Sequence, residues 1–292
     1  MSASFEKVSA TIDLVECPRD AMQGWKNFIP TEKKIEYINS LLKIGFHTID
    51  FGSFVSPKII PQMADTKELI GNLELANSSS KLLVIVANTR GAEEAVVYKE
   101  ISFLGFPFSI SSTFQQRNTN SNIQESLVRV EEIQDLCLKN NKQLVVYLSM
   151  AFGNPYGDAY NDKVLLQWTD EIAKKNIGII SLADTIGVAT PKQIETAMNM
   201  LIPKYGVIQF GVHLHSTAQN WKEKVDAAYN AGCKRFDGAL KGIGGCPMAN
   251  DYLIGNMNTE WLISFMEVNG EQLSINKQSL HESLRLAEEI FF

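Results

Sequence analysis

The stretch Ser9-Ala-Thr-Ile-Asp-Leu-Val-Glu16, SATIDLVE, runs directly into Cys17-Pro-Arg-Asp-Ala-Met-Gln23, CPRDAMQ. Its first half is short and rich in Ile, Leu, Val and Thr, the composition of a parallel strand buried on both faces. A doubly wound nucleotide-binding sheet follows such a strand with a glycine-rich turn. Here the strand meets Cys-Pro-Arg-Asp, and no glycine comes before Gly24. The doubly wound fold is therefore disfavoured, and the next question is what repeats along the chain.

Seven further runs of the same kind follow: HTIDFGSF (47–54), LLVIVANT (82–89), FPFSISST (106–113), QLVVYLSM (143–150), GIISLADT (178–185), IQFGVHLHST (208–217) and KRFDGAL (234–240). Helical patterns alternate with them, among them TEKKIEYINSLLKIG (31–45), SNIQESLVRVEEIQDLCLKNN (121–141) and TPKQIETAMNMLIPKYG (190–206). Several open on Ser or Thr with Glu or Gln nearby, as capped helices do. Eight strands alternating with helices predict an α/β chain, a (β/α)8 TIM barrel. No linker divides residues 1–292, so one catalytic domain is expected. Beyond it lie two more helical stretches, TEWLISFMEVNG (259–270) and NKQSLHESLRLAEEIFF (276–292). One closes the barrel. The other is an additional C-terminal helix, packed outside or against a second subunit.

Composition excludes several function classes. With 45% hydrophobic and 21% charged residues, the chain can bury a sizeable core. A net charge of −6 and the lack of a Lys/Arg block argue against a nucleic-acid partner. No apolar run approaches the ~20 residues of a membrane span, and the N-terminus lacks the shape of a signal peptide. A cytoplasmic protein is expected. Cys17, Cys137, Cys233 and Cys246 form no C-x-x-C pair and read as free thiols, not structural zinc ligands.

In such a barrel, chemistry collects at the C-terminal ends of the strands. Arg19 and Asp20 follow the first strand, Asp50 lies late in the second, and Asp184 and Thr185 end the sixth. His213-Leu214-His215 ends the seventh, and GIGGCPMA (242–249) follows the eighth, with Cys246 among three glycines. The i, i+2 histidines would share one strand face. They suit either a divalent metal or a hydrogen-bonded pair, and the Asp20 carboxylate nearby favours the metal. Two imidazoles and a carboxylate with open positions point to Mg²⁺, Mn²⁺ or another first-row ion. Arg19 and Asp20 could form a simple ion pair, or the guanidinium fork could face a substrate oxygen. Buried among apolar neighbours, Asp50 needs a partner, and Arg19 is the candidate. Asp184 could cap the following helix instead of serving the rim.

VECPRDAMQ, SFVSPKIIPQMAD, SLADTIGVATP, HLH and GIGGCPMA together resemble 3-hydroxy-3-methylglutaryl-CoA lyases, metal-dependent barrel enzymes related to Claisen-type synthases. The resemblance covers about residues 12–260. It implies retro-Claisen cleavage of HMG-CoA, an acyl-CoA substrate, to acetyl-CoA and acetoacetate, in a homodimer. It implies Asp20, His213, His215 and Asn256 as ligands of Mg²⁺ or Mn²⁺, with Asn256 found by the resemblance alone. It also implies a catalytic set of Cys246, Arg19, Asp50 and His213, with Arg19, Asp50, Asp184 and Thr185 against the substrate. Cys246 would carry a proton on a loop that its glycines allow to bend. Two positions depart from the family pattern, which has Glu where Asp50 stands and Asp where Ser216 stands. The shorter carboxylate at Asp50 could move a hydrogen bond out of range, which leaves the exact acyl-CoA substrate open, a slightly larger or differently substituted 3-hydroxyacyl-CoA included. Two alternatives follow from the same features: an acetyl-CoA/2-oxo-acid condensing synthase, or an acyl-CoA-binding barrel without turnover.

Overall fold

Successive side chains of a strand face opposite ways, so a barrel strand packed on both sides must be apolar at both odd and even positions. β5 (Gln143–Ser149) shows it. Val145 and Tyr147 join Leu83, Ile85, Phe103 and Ile179 in a cluster inside the barrel. Leu144, Val146 and Leu148 belong to the larger core under the helices.

The computed structural model describes residues 11–245 and 254–292. In chain order the strands are β1 (Asp13–Glu16), β2 (Thr48–Ser53), β3 (Lys81–Ile85), β4 (Ile101–Ser109), β5, β6 (Ile179–Ala183), β7 (Gln209–His213), the two-residue β8 (His215–Ser216), β9 (Arg235–Gly238) and the two-residue β10 (Gly255–Asn256). Eight of them close a parallel barrel in the order β1-β2-β3-β4-β5-β6-β7-β9, and β9 returns to pair with β1. β8 and β10 form a separate antiparallel pair in which Asn256 lies opposite His215. No helix among the described residues is long and apolar enough to cross a membrane.

Three sequence expectations are corrected in detail. β4 begins at Ile101, not 106, and runs through Gly105 and Pro107. A Cβ on Gly105 would lie 2.6 Å from Ile85 Cδ1 and 3.0 Å from Tyr147 Cε2, so the interior has room only for glycine there. The seventh run is not one strand, because β7 stops at His213 and β8 turns to another partner. Caps follow the expected boxes at Thr190 with Gln193, and at Asn122 in place of Ser121 with Glu125. Thr31 does not cap its helix, because its hydroxyl donates to Asp65 (2.8 Å).

Both C-terminal helices, Thr259–Val268 and Lys277–Phe291, are present. The second packs on helix Thr31–Leu41, with Phe291 edge-on to Trp25 and Ser283 hydrogen-bonded to Ser40 (2.8 Å). Leu286, Ala287 and Phe291 are buried there against their own chain. Phe292, the last residue, stays exposed.

Candidate active site

The polar groups of the rim meet because short elements turn them inward just past the strands. Pro18 sits at the first turn of helix Pro18–Gln23, which follows β1 after Cys17 and carries Arg19 and Asp20 over the barrel mouth. β1 and β7 both neighbour β9, so Asp20 comes opposite the histidines. Ligand atoms of Asp20, His213 and His215 all lie within 4.8 Å of one another. Although the strand breaks at Leu214, the two imidazoles still converge, edge to face, 5.2 Å apart.

Each imidazole is pinned by an acceptor on its far side. His213 Nδ1 meets Asp237 Oδ2 at 3.2 Å, and His215 Nδ1 meets the carbonyl of Asp184 at 2.7 Å. A carbonyl oxygen can only accept, so His215 Nδ1 carries the hydrogen and the lone pair is left on Nε2. That Nε2 is buried and has no partner among the described residues. A buried, unpaired acceptor aimed at a carboxylate and a second imidazole fits a cation. Burial and the neighbouring His213 push His215 below the usual histidine range, which keeps it neutral. Burial also pulls His213 down, but the bond and charge of Asp237, with Asp20, outweigh it and raise His213. With Nδ1 committed to Asp237, His213 has only Nε2 for the cleft. It can act as ligand or as proton carrier, not both at once.

Asp20 is ready for the same centre. Burial raises its carboxyl, yet Arg19, the two histidines and Asn256 together hold it below the ordinary range. Asn256 donates from Nδ2 to Asp20 Oδ2 (2.8 Å) and to the carbonyl of Ile243 (2.9 Å). Both amide hydrogens are used, so Oδ1 is the atom Asn256 can offer a metal. A second possible group, Cys17 with His213 and Asp237, is a poorer candidate. Burial pushes the Cys17 thiol well up, so it stays protonated, and Asp237 is engaged with His213.

Arg19 and Asp50 form the other half of the rim. Arg19 Nε sits 3.2 and 3.1 Å from the two Asp50 oxygens, and Nη2 donates to Oδ2 at 2.5 Å. Nη1 donates to Asp20 Oδ1 (3.0 Å) and Gln23 Oε1 (2.9 Å). Among the described residues four of the five N–H groups are thus occupied, leaving one on Nη2. The buried carboxylate of Asp50 thus has the partner its burial called for, Arg19. Burial nevertheless raises Asp50 to about 6 against the lowering influence of Arg19.

Asp184 and Thr185 separate. Thr185 lines the cleft together with Arg19, Asp20, His213 and His215. Asp184 does not line it, because its carboxylate turns the other way, to Lys224 Nζ (2.7 Å) and the amide of Ala189 (2.9 Å). The cap of the next helix is Thr190. Ser216 is buried, and among the described residues its hydroxyl donates to the Met257 sulfur (3.5 Å). Tyr147 and Ser149 also line the cleft, and the Tyr147 ring stands edge-on to His213. The sequence reading missed them, although period-two alternation along β5 places both on the inner face.

Cys246 lies outside the described residues. Gly245 precedes it, and a Cβ there would be 3.8 Å from His215 Cδ2, so the chain reaches that point at the histidines. Gly244 has φ +94°, and its Cβ would come within 2.8 Å of Ala21 Cα and Asn256 Nδ2. These glycines are required by backbone conformation and close approach, whatever freedom they add.

The HMGL-like family model matches residues 12–287. A cytoplasmic 3-hydroxy-3-methylglutaryl-CoA lyase of Rattus norvegicus is 32% identical over 91% of this chain and 77% of its own length. A hydroxymethylglutaryl-CoA lyase of Bacillus subtilis is 30% identical over 93% of this chain and 90% of its own. Among solved structures, an HMG-CoA lyase of Acinetobacter baumannii in complex with coenzyme A and 3-methylmalate is similar at TM-score 0.87 and 30% identity, covering 99% of this chain and 93% of that one.

Proposed function

Because the chain belongs to the HMGL-like family and shares the carbon–carbon lyase class of its relatives, we propose that it cleaves 3-hydroxy-3-methylglutaryl-CoA, or a close 3-hydroxyacyl-CoA, in a reaction that needs a divalent metal. For HMG-CoA the products are acetyl-CoA and acetoacetate. The observation that carries this reading is one cleft that gathers the free His215 Nε2, His213, Asp20 and the last open N–H of Arg19. Coenzyme A in the Acinetobacter relative supports an acyl-CoA ligand.

Asp20, His213, His215 and Asn256 would hold Mg²⁺ or Mn²⁺, which when bound polarises the substrate's tertiary hydroxyl and a carboxylate oxygen. The bond to break joins C2, beside the thioester, to C3, which bears that hydroxyl. The hydroxyl proton passes to the thiolate form of Cys246, C3 becomes the ketone of acetoacetate, and the bonding pair stays on C2 as an enolate. The open Nη2–H of Arg19 would stabilise the negative charge on the thioester oxygen. Asp50 fixes the fork so that this one hydrogen points outward. A proton returned to C2 completes acetyl-CoA, and Cys246 is the group proposed to carry it. His213, with a single free nitrogen, serves as ligand.

Incubating the Mn²⁺-loaded protein with HMG-CoA and following acetoacetate tests the proposal. Release of acetoacetate that stops on chelation is the expected result. Absence of cleavage products from HMG-CoA and from related 3-hydroxyacyl-CoAs overturns it.

A further inference from the structure

Lys224 stands on helix Trp221–Asn230, outside the barrel and away from the cleft lining, yet its side chain is only 2% exposed. A buried ammonium must place all three hydrogens. This one does so on Asp184 Oδ2 (2.7 Å), the carbonyl of His215 (2.8 Å) and the carbonyl of Gly187 (3.1 Å). Asp184 completes its own set: its Oδ1 accepts from the Ala189 amide (2.9 Å), its amide donates to the His213 carbonyl (2.9 Å), and its carbonyl accepts from His215 Nδ1 (2.7 Å). His215 is thus gripped twice by one buried cluster, at its backbone carbonyl by Lys224 and at its ring by Asp184.

We infer that Lys224 is a positioning residue for the metal site, acting through Asp184 and the backbone of His215 to aim His215 Nε2 at Asp20 and His213. The inference rests on the metal-site reading above. Its physical content is that a ring held at Nδ1 by a carbonyl is only as well oriented as that carbonyl. The Asp184 carbonyl belongs to a residue whose charged end is fixed by Lys224. Removing the ammonium leaves a buried carboxylate without its counter-ion and frees the Gly187 and His215 carbonyls. The loop that carries Asp184 then keeps its amide bonds to His213, Gly187 and Ala189 but loses the only charged one, so the Asp184 carbonyl is held less firmly.

The test compares wild type, Lys224→Met and the double variant Lys224→Met/Asp184→Asn by calorimetric titration with Mn²⁺, alongside thermal unfolding without metal. Lys224→Met should weaken Mn²⁺ binding ~10–100-fold. The double variant removes the unpaired charge and should regain melting temperature, but it still lacks donors for the His215 and Gly187 carbonyls and should keep the weakened binding. Wild-type affinity in a folded single or double variant overturns the inference. Wild type that binds no Mn²⁺ overturns the metal reading instead. In that event ¹⁵N NMR of the His215 imidazole still decides the positioning role. A single Nδ1–H tautomer in wild type that becomes mixed in the double variant upholds it, and an unchanged ring overturns it.

Discussion

The two halves of the rim are prepared in different ways. On the histidine side, each ring is held by one acceptor: the Asp237 carboxylate for His213 and the Asp184 carbonyl for His215. Those acceptors fix tautomers, so what the cleft receives is lone pairs. On the Arg19 side, orientation comes from charge. Asp50 and Asp20 flank a guanidinium that cannot lose its proton, and the cleft receives a single N–H. One half offers acceptors for a cation and the other a donor for an anion. The proposed carbon–carbon cleavage needs both, a cation at the hydroxyl that loses its proton and a donor for the charge on the thioester oxygen. The lesson is that a site's character is set by the groups behind it as much as by those facing in.

The comparison can be broken first on the histidine side. His215→Ala removes the proposed ligand whose Nε2 has no partner among the described residues. Mn²⁺ stoichiometry measured by metal analysis should fall towards zero, and turnover with it. Retention of one ion per chain would remove His215 from the ligand set. By the same logic the Arg19 side should fail without losing metal. Asp50→Asn keeps the shape but loses the charge that orders the fork. Charge-assisted hydrogen bonds of about 1.5–3 kcal/mol correspond to ~10–100-fold in rate. Metal content should be unchanged, which separates the two halves.

Acidity sharpens the same contrast. Asp50 is raised to about 6 by burial, with Arg19 pulling the other way. Above that pH it is ionised and holds Arg19; below it the carboxyl is protonated and the pair loosens. Wild-type kcat/KM should therefore drop as pH falls through about 6, measured at saturating metal. Asp50→Asn lacks that group and should lose this limb of the profile. An unchanged acid limb in the variant would assign the titration elsewhere.

Much of this arrangement was legible in the chain. Alternating runs disclosed the barrel, and the rim residues Arg19, Asp20, His213, His215 and Thr185 were found where strand ends predict. The start of β4 was missed because Gly105 interrupts its apolar pattern, and close approach inside the barrel leaves room only for glycine there. Asp184 was left between a helix cap and the substrate side because position along a strand does not tell which way a loop side chain turns. Its partner was the missing fact. Lys224 sits in a helix whose buried residues include Val225 and Ala228. A lysine on that apolar stripe was a visible signal of a buried cation, although nothing in the sequence named its carboxylate. Tyr147 and Ser149 could have been found by alternation along β5, but inward residues of eight strands are many and only closure of the barrel selects those near the mouth.

The account turns on both halves acting on one molecule. A crystal structure with Mn²⁺ and a non-cleavable 3-hydroxyacyl-CoA analogue tests this directly. The account predicts the ion on Asp20, His213 Nε2, His215 Nε2 and Asn256 Oδ1, with the thioester oxygen on the free Nη2–H of Arg19 while Asp50 still holds the fork. An ion elsewhere, or a thioester oxygen that no hydrogen of Arg19 reaches, would contradict it.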